Sequence, residues 1–302
     1  MNAHDQLATL VRQHARTAQL LGVDFVPAYG TGGTPLSPAE SAEDPATGSM
    51  VEPKPERPST TRTRPEAKPS APSRSAPAAS EAVFMAPARP VTLEAREGRK
   101  AKDIQKRLDA LRARYEQDAP HKAFENHSHN IVFGEGDPLA SIMFIGEAPG
   151  EEEDRTGRPF VGRAGQLLDK MIVAMGLARA DVYICNVLKT RPPNNATPTI
   201  QEAAACEPYL LEQVSIVLPL AIVTLGKSAA QCVLHTTETM TAMRGSWREL
   251  VLPDGTGIPV MPTYHPAFLL RSYTPENRQK VWSDLKKVLE RVGITPPAKS
   301  ST

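Results

Sequence analysis

Four short apolar runs rich in Val and Ile, at 142–145, 182–187, 221–225 and 258–264, recur along the second half of this chain. Stretches of helical period at 163–175, 199–217 and 226–235 separate them, and another follows at 276–291. A strand covered on both faces reads as a continuous apolar run, and parallel neighbours need a crossover helix between them. The pattern predicts an α/β fold, a three-layer α/β/α domain on a central, mainly parallel four-stranded sheet. Asp254-Gly255 predicts a hairpin between Leu250 and Ile258, a local antiparallel exception. Ahead of the first run, 93–117 reads as a charged helix with Ile104, Leu108, Leu111 and Tyr115 on one face.

The first part of the chain cannot fold the same way. Of its 29 prolines, 13 fall between Phe25 and Pro90, among abundant Ser, Ala, Glu and Arg. Such a stretch has too little apolar surface to offset the entropy of ordering it, so 25–91 is expected to be a disordered linker. The folded domain is expected over 92–295, with a disordered tail at 296–302. Residues 1–24 place Leu7, Leu10, Val11, Ala18 and Leu21 at helical spacing. That short amphipathic helix either docks back on the domain or binds a protein partner.

Three cysteines, Cys185, Cys206 and Cys232, with no CxxC pair, argue against a disulfide framework or a zinc ribbon. The chain does not open on a charged-then-apolar leader, and no apolar run approaches membrane-spanning length. A monomer in the reducing cytoplasm, with no membrane association, is the expectation. The formal net charge of +1 neither requires nor excludes nucleic acid, so DNA binding would need a local basic face.

In a parallel sheet, ligands bind beyond the C-terminal ends of the strands. The chemistry-bearing residues of this chain follow its strands: Gly146-Glu147-Ala148-Pro149-Gly150 after the first, Asn186 at the end of the second, Tyr264-His265-Pro266 after the fourth. Phe160, in Gly157-Arg158-Pro159-Phe160-Val161-Gly162, suits a stacking platform for a flat ring. The Asn186 carboxamide has the donor and acceptor needed to pair with a pyrimidine edge. His265 can donate to a carbonyl oxygen that gains charge as a base departs. Taken singly, each also fits a structural role: a solvated acidic loop over 147–154, a core Phe160, an Asn186 satisfying loop backbone, a packed His265. Their gathering on one sheet edge favours a site.

The segments VFGEGDP, FIGEAPGEEEDRTGRPFVGRAGQLLDKM, VYICNVLKTRPPNNATP, CEPYL and YHPAFLLR occur in that order. On them, the region from about residue 132 to 289 resembles the family 4 uracil-DNA glycosylases. The resemblance implies hydrolysis of the N-glycosidic bond of a uracil flipped out of DNA, leaving an abasic site. It assigns Phe160 to stacking on the base and Asn186 to its Watson–Crick edge. Gly146, Glu147 and Ala148 would bind the base, with Glu147 helping to place the water. His265 would stabilise the departing anion, and Asn195 matches a family position at the water or the phosphates. Leu269, Leu270 and Arg271 would wedge the minor groove. Some relatives carry Asp where this chain has Ala148, so water activation falls to Glu147, Asp154 or a nearby amide. Arg158, Arg163, Lys189 and Arg191, with Arg155, Arg244 and Arg248, are the expected phosphate contacts, unless they serve a solvated face paired with acids.

The family typically holds an iron–sulfur cluster on four cysteines. Aligned without gaps, this chain has Ala119, Lys122 and Thr190 at three of those positions and retains only Cys206. One thiolate cannot hold such a cluster, so none is expected, and Phe124 or Ile131 would fill its place. Asn126-His127-Ser128-His129-Asn130 offers two histidines for a substitute metal, without an evident third ligand. The main alternative is a non-catalytic DNA-binding relative that recognises damage or another base. A relative that crosslinks to abasic DNA would need an inserted basic loop with a reactive His, which is absent here. A generic nucleotide-binding protein would need a GxGxxG or GxxxxGK segment, also absent.

Overall fold

The computed structural model describes residues 88–124 and 128–297. The expected N-terminal helix, nearly all of the expected linker, the last residues of the tail and Asn126-His127 lie outside them.

The four apolar runs become β3 (Ile142–Gly146), β4 (Tyr183–Asn186), β5 (Ala221–Leu225) and β7 (Thr256–Thr263), and the three pairings among them are parallel. Among the described residues the sheet has seven strands, not four, in the order β1-β7-β5-β3-β4-β2 with β6 on β7. The extra three are short or at the edge, which is why no apolar run announces them. β1 (Arg89–Pro90) adds parallel to β7 at the end of the expected linker, and β2 (Glu135–Gly136) adds antiparallel to β4. β6 (Arg248–Val251) forms the expected hairpin with β7 across Asp254-Gly255.

Alternate strand residues point to opposite faces, and the two faces are buried under different helices. Met143, Ile145, Tyr183, Cys185, Ile222 and Val260 pack under Ile104, Leu108, Leu111 and Tyr115 of α1 (Ala101–Asp118) and Leu210, Val214 and Val217 of α4 (Ile200–Val217). Ile142, Phe144, Ile184, Val223 and Met261 pack instead under α3 (Arg163–Ala174) and α8 (Pro275–Arg291). The remaining helices are the short α2 (Glu151–Thr156), α5 (Lys227–Leu234), α6 (Met240–Met243) and α7 (Pro266–Arg271). No helix among the described residues is long and apolar enough to cross a membrane.

Leu269 corrects the sequence reading. A helix turns about 100° per residue, so Leu269 and Leu270 cannot share an outlook. α7 turns Leu269 inward onto α3, where it is completely buried, and leaves Leu270 38% exposed. Leu269 therefore belongs to the core, and a groove wedge can come only from Leu270 and Arg271. Leu269→Ala should cost about 2–5 kcal/mol of stability in chemical denaturation, by transfer and cavity terms. Leu270→Ala should stay within about 0.5 kcal/mol of wild type.

Candidate functional site

The C-terminal ends of β3, β4, β5 and β7 open into one cleft of about 700 Å³, lined among others by Glu147, Gly150, Phe160, Asn186, Asn195, Lys227, Tyr264, His265 and Arg271. Its floor is set by the β3–β4 register, in which Gly146 lies opposite Asn186. The pairing runs on past the strands, with Val187 N donating to Gly146 O at 3.0 Å and Leu188 N to Glu147 O at 3.1 Å. Asn186 is almost wholly buried, yet its Oδ1 has no hydrogen-bond partner in the protein. Buried polar atoms are rarely left so, and one at the floor of a cleft is set to meet a ligand.

Gly146 is needed because there is no room for more. A Cβ there would stand 2.3 Å from Asn186 Oδ1 and 2.4 Å from the Phe160 ring. Phe160 sits in the left-handed region at φ 51°, a conformation that costs a residue with a Cβ about 1–2 kcal/mol. Gly165, one turn into α3, lets the chain close over it, since a Cβ there would lie 1.9 Å from Phe160 O.

Two residues not singled out from the sequence hold the loop in this shape. The Glu153 carboxylate accepts from Val161 N and Gly162 N, both at 2.8 Å, and from Gly150 N at 3.1 Å. It joins the GEAPG turn to the GRPFVG loop. Arg179 donates through Nη1 to Phe160 O at 3.2 Å and to Asp169 at 2.6 Å, and through Nε to Glu135 at 2.8 Å. Glu153 was hidden in a four-residue acidic run that reads as solvated. Arg179 lies in a short turn before β4 with no motif around it.

His265 caps α7, with Pro266 fixed at the first helical position. Its Nδ1 accepts from Ala267 N at 3.0 Å, so the ring's own proton sits on Nε2. Burial, and then the Arg271 charge, push its pKa down from 6.5 to about 4 against the opposing pull of Glu153. The ring is therefore neutral at ordinary pH and offers one N–H. Its plane lies at 33° to that of Phe160, with centroids 5.7 Å apart.

The other expected residues divide. Glu147, Ala148 and Asn195 line the cleft with Asn186, Phe160 and His265. Asp154 does not: it is buried, and its carboxylate accepts from Ser128 Oγ, His129 N and Asn130 N at 2.8–2.9 Å and pairs with His129 Nδ1 at 2.9 Å. Burial would raise its pKa, but the bonds to Asn130, His129 and Ser128 win and hold it below the usual carboxylate range. It anchors a loop. Lys189 is fully buried, so it cannot touch a phosphate, and that expectation is corrected. Arg158 forks onto Glu135. Arg191 bonds Asn195 Oδ1 and approaches Glu151, while Arg155, Arg244 and Arg248 pair with Glu152, Asp284 and Glu238. Arg163 and Arg271 are exposed and form no ion pair among the described residues.

The four positions at which the resemblance places cluster cysteines do not suit one. Ala119 is the left-handed cap of α1, and Lys122 lies in the turn after it. Cys206 Sγ lies 3.7 Å from the hydroxyl of Tyr115. Burial pushes the Cys206 thiol up. His121 stacks on Tyr115 at 5.5 Å, and His121, Phe124, Thr190 and Cys206 enclose only a sliver of space. No three His, Cys, Asp or Glu among the described residues converge as a metal site.

The His265 ring should titrate near pH 4 by NMR, with the proton on Nε2 throughout the neutral range. Because the fold favours the neutral ring, its contribution to stability is complete above about pH 6.5 and is lost as pH falls toward about 4. A midpoint near 6.5 would mean that the ring is solvated rather than buried in the cleft.

Comparison with known proteins agrees with the geometry. The uracil DNA glycosylase superfamily model matches residues 133–286. The chain is 48% identical over 159 residues to the type-4 uracil-DNA glycosylase of Thermotoga maritima, covering 52% of this chain and 81% of that one. It is 44% identical over 172 residues to the type-4 uracil-DNA glycosylase of Archaeoglobus fulgidus, covering 56% and 85%. The type-5 uracil-DNA glycosylase of Pyrobaculum aerophilum is more distant, 34% identical over 147 residues, covering 44% and 63%. With its sheet, cleft and sequence in agreement, the chain belongs to the uracil DNA glycosylase superfamily.

Proposed function

We propose that this protein is a DNA-repair glycosylase that hydrolyses the N-glycosidic bond of a uracil flipped out of DNA. The observation that carries this reading is the buried Asn186 carboxamide with a partnerless Oδ1, set in one cleft with the Phe160 ring and His265. A flat ring stacked on Phe160 would lay its edge on Asn186. With its Oδ1 held toward the ring N–H, the carboxamide pairs with N3–H and O4 of uracil. A cytosine edge presents its donor and acceptor in the reverse order, so a carboxamide kept in one orientation discriminates as well as binds.

The chemistry then follows from charge. As the C1′–N1 bond breaks, its electron pair moves onto the base and the sugar becomes cationic. The neutral His265 donates Nε2–H to the carbonyl oxygen that gains this charge, as a hydrogen bond and not a proton transfer, because the N–H of a neutral imidazole is too weak an acid to be lost. A water oxygen bonds to C1′ and gives up a proton, leaving an abasic sugar and free uracil. Of the two glutamates that line the cleft, Glu153 is engaged by three amides, which leaves Glu147 to hold the water and take its proton. Asn195 stands at the same wall as a second water or phosphate contact. Arg163, Lys227 and Arg271 supply basic groups for the backbone, and Leu270 is the apolar wedge. The three cysteines are free, in keeping with a reducing compartment.

Oligonucleotides carrying uracil opposite guanine, opposite adenine or single-stranded should show alkali-sensitive breaks at the uracil. Glu147→Gln should lower single-turnover excision by about 10²–10⁴-fold with binding kept. Binding without breaks in any context would favour the non-catalytic relative instead.

No iron–sulfur centre is needed for this reading, and we propose that the protein works without one. The contact of the Tyr115 hydroxyl with Cys206 and the stacking of His121 on Tyr115 join α1, the turn after it and α4. Pure, colourless protein free of stoichiometric iron and sulfide is the expected result of elemental analysis. A brown protein with four irons per chain would overturn it.

A further inference from the structure

Lys189 is a fully buried amine that no step above employs. Burial pushes its pKa down, and a lysine placed in a core is costly unless its N–H groups are used. All three are. Nζ donates to the main-chain carbonyl of Asn186 at 2.8 Å and to Gln213 Oε1 at 2.6 Å, and it lies 5.3 Å from the centroid of the Phe133 ring. Gln213, itself fully buried, has both its amide hydrogens committed, to Phe133 O at 3.0 Å and to Tyr183 Oη at 2.9 Å. The network is closed, and its one outlet toward the cleft is Asn186.

The Asn186 carbonyl needs such a partner. In a trans peptide the C=O points opposite to the next N–H. Val187 N–H points to β3, so Asn186 C=O points the other way, toward β2. β2 pairs only with Tyr183 and Ile184, so the ladder has ended before it can serve Asn186. Lys189 folds back three residues to fill that gap. An apolar side chain of similar size would pack the same space at less cost in desolvation. The amine supplies what packing cannot, a fixed plane for the Asn186 peptide and hence a fixed direction for its side chain.

We propose that Lys189 is a positioning residue for base recognition, whose hydrogen bond to the Asn186 carbonyl aims the Asn186 carboxamide at the uracil edge. The inference rests on the base-reading role given to Asn186 above. It assigns the lysine of this segment to the back of the pocket and not to the DNA backbone.

The test compares two duplexes, one carrying 2′-fluoro-2′-deoxyuridine, whose glycosidic bond resists cleavage, and one carrying a tetrahydrofuran abasic site, which has no base to read. Dissociation constants are measured for wild type, Lys189→Met, Asn186→Ala and the double variant. Lys189→Met should weaken binding to the uracil duplex about tenfold, the scale of one lost hydrogen bond from a charged donor. It should leave the abasic duplex within about twofold and add nothing in the Asn186→Ala background. Equal weakening on both duplexes, an undiminished effect in the Asn186→Ala background, or wild-type binding to both would each overturn the proposal. Should Lys189→Met not fold, Lys189→Gln, one atom too short to reach both partners, runs the same comparisons with the same deciding results. If Asn186→Ala itself keeps the wild-type preference for uracil over the abasic site, the base-reading role falls and this inference with it. Loss of preference in Asn186→Ala but not in the lysine variant sinks this inference alone.

Discussion

The pocket depends on one carboxylate. Glu153 gathers three amide hydrogens from two separate loops, and no other group ties the GEAPG turn to the GRPFVG loop so directly. Each bond is charge-assisted, and the loop needs that strength, because Phe160 is held at a positive φ that it would leave if released. With the loop fixed, the Phe160 ring stands over Gly146, the one position where the absent Cβ leaves room for it beside Asn186. His265 then closes the other side from the end of β7, its tautomer set by Ala267 N. Phe160, Asn186 and His265, the proposed stacking surface, edge reader and donor, are thus positioned by backbone contacts. Such preorganisation is what electrostatic stabilisation of a departing anion requires.

Much of this could be read from the order of residues alone. The parallel strands show as continuous apolar runs because both faces are covered, and the site appears because ligands gather at strand ends. Phe160, Asn186, His265, Glu147, Ala148 and Asn195 all reach the cleft. What was illegible is illegible for physical reasons. β1 and β2 are two residues each, so no periodicity can reveal them. Leu269 and Leu270 are adjacent apolar residues, and only the phase of α7 decides which is inside. Lys189 sits between a strand end and Arg191, where a basic residue reads as surface; its partner Gln213 is distant in sequence and has no pattern to announce it. Asp154 and Glu153 are neighbours in one acidic run, yet one anchors 128–130 and the other the cleft loop.

The same logic bears on the scaffold. The base-reading groups hang from the ends of β3, β4 and β7, whereas the positions that match cluster ligands lie on α1, its following turn, Thr190 and α4. The two sets meet through the short segment from Asn186 to Thr190, where the Lys189 amine donates to the Asn186 carbonyl.

The most direct test of the account is a crystal structure of the protein bound to DNA with an uncleavable uracil analogue. The base should lie on Phe160, its edge paired with the Asn186 carboxamide through the oxygen now lacking a partner, and one carbonyl oxygen should fall within hydrogen-bond reach of His265 Nε2. A base seated elsewhere in the cleft, or an Asn186 side chain turned into the protein with its Oδ1 satisfied there, would contradict it.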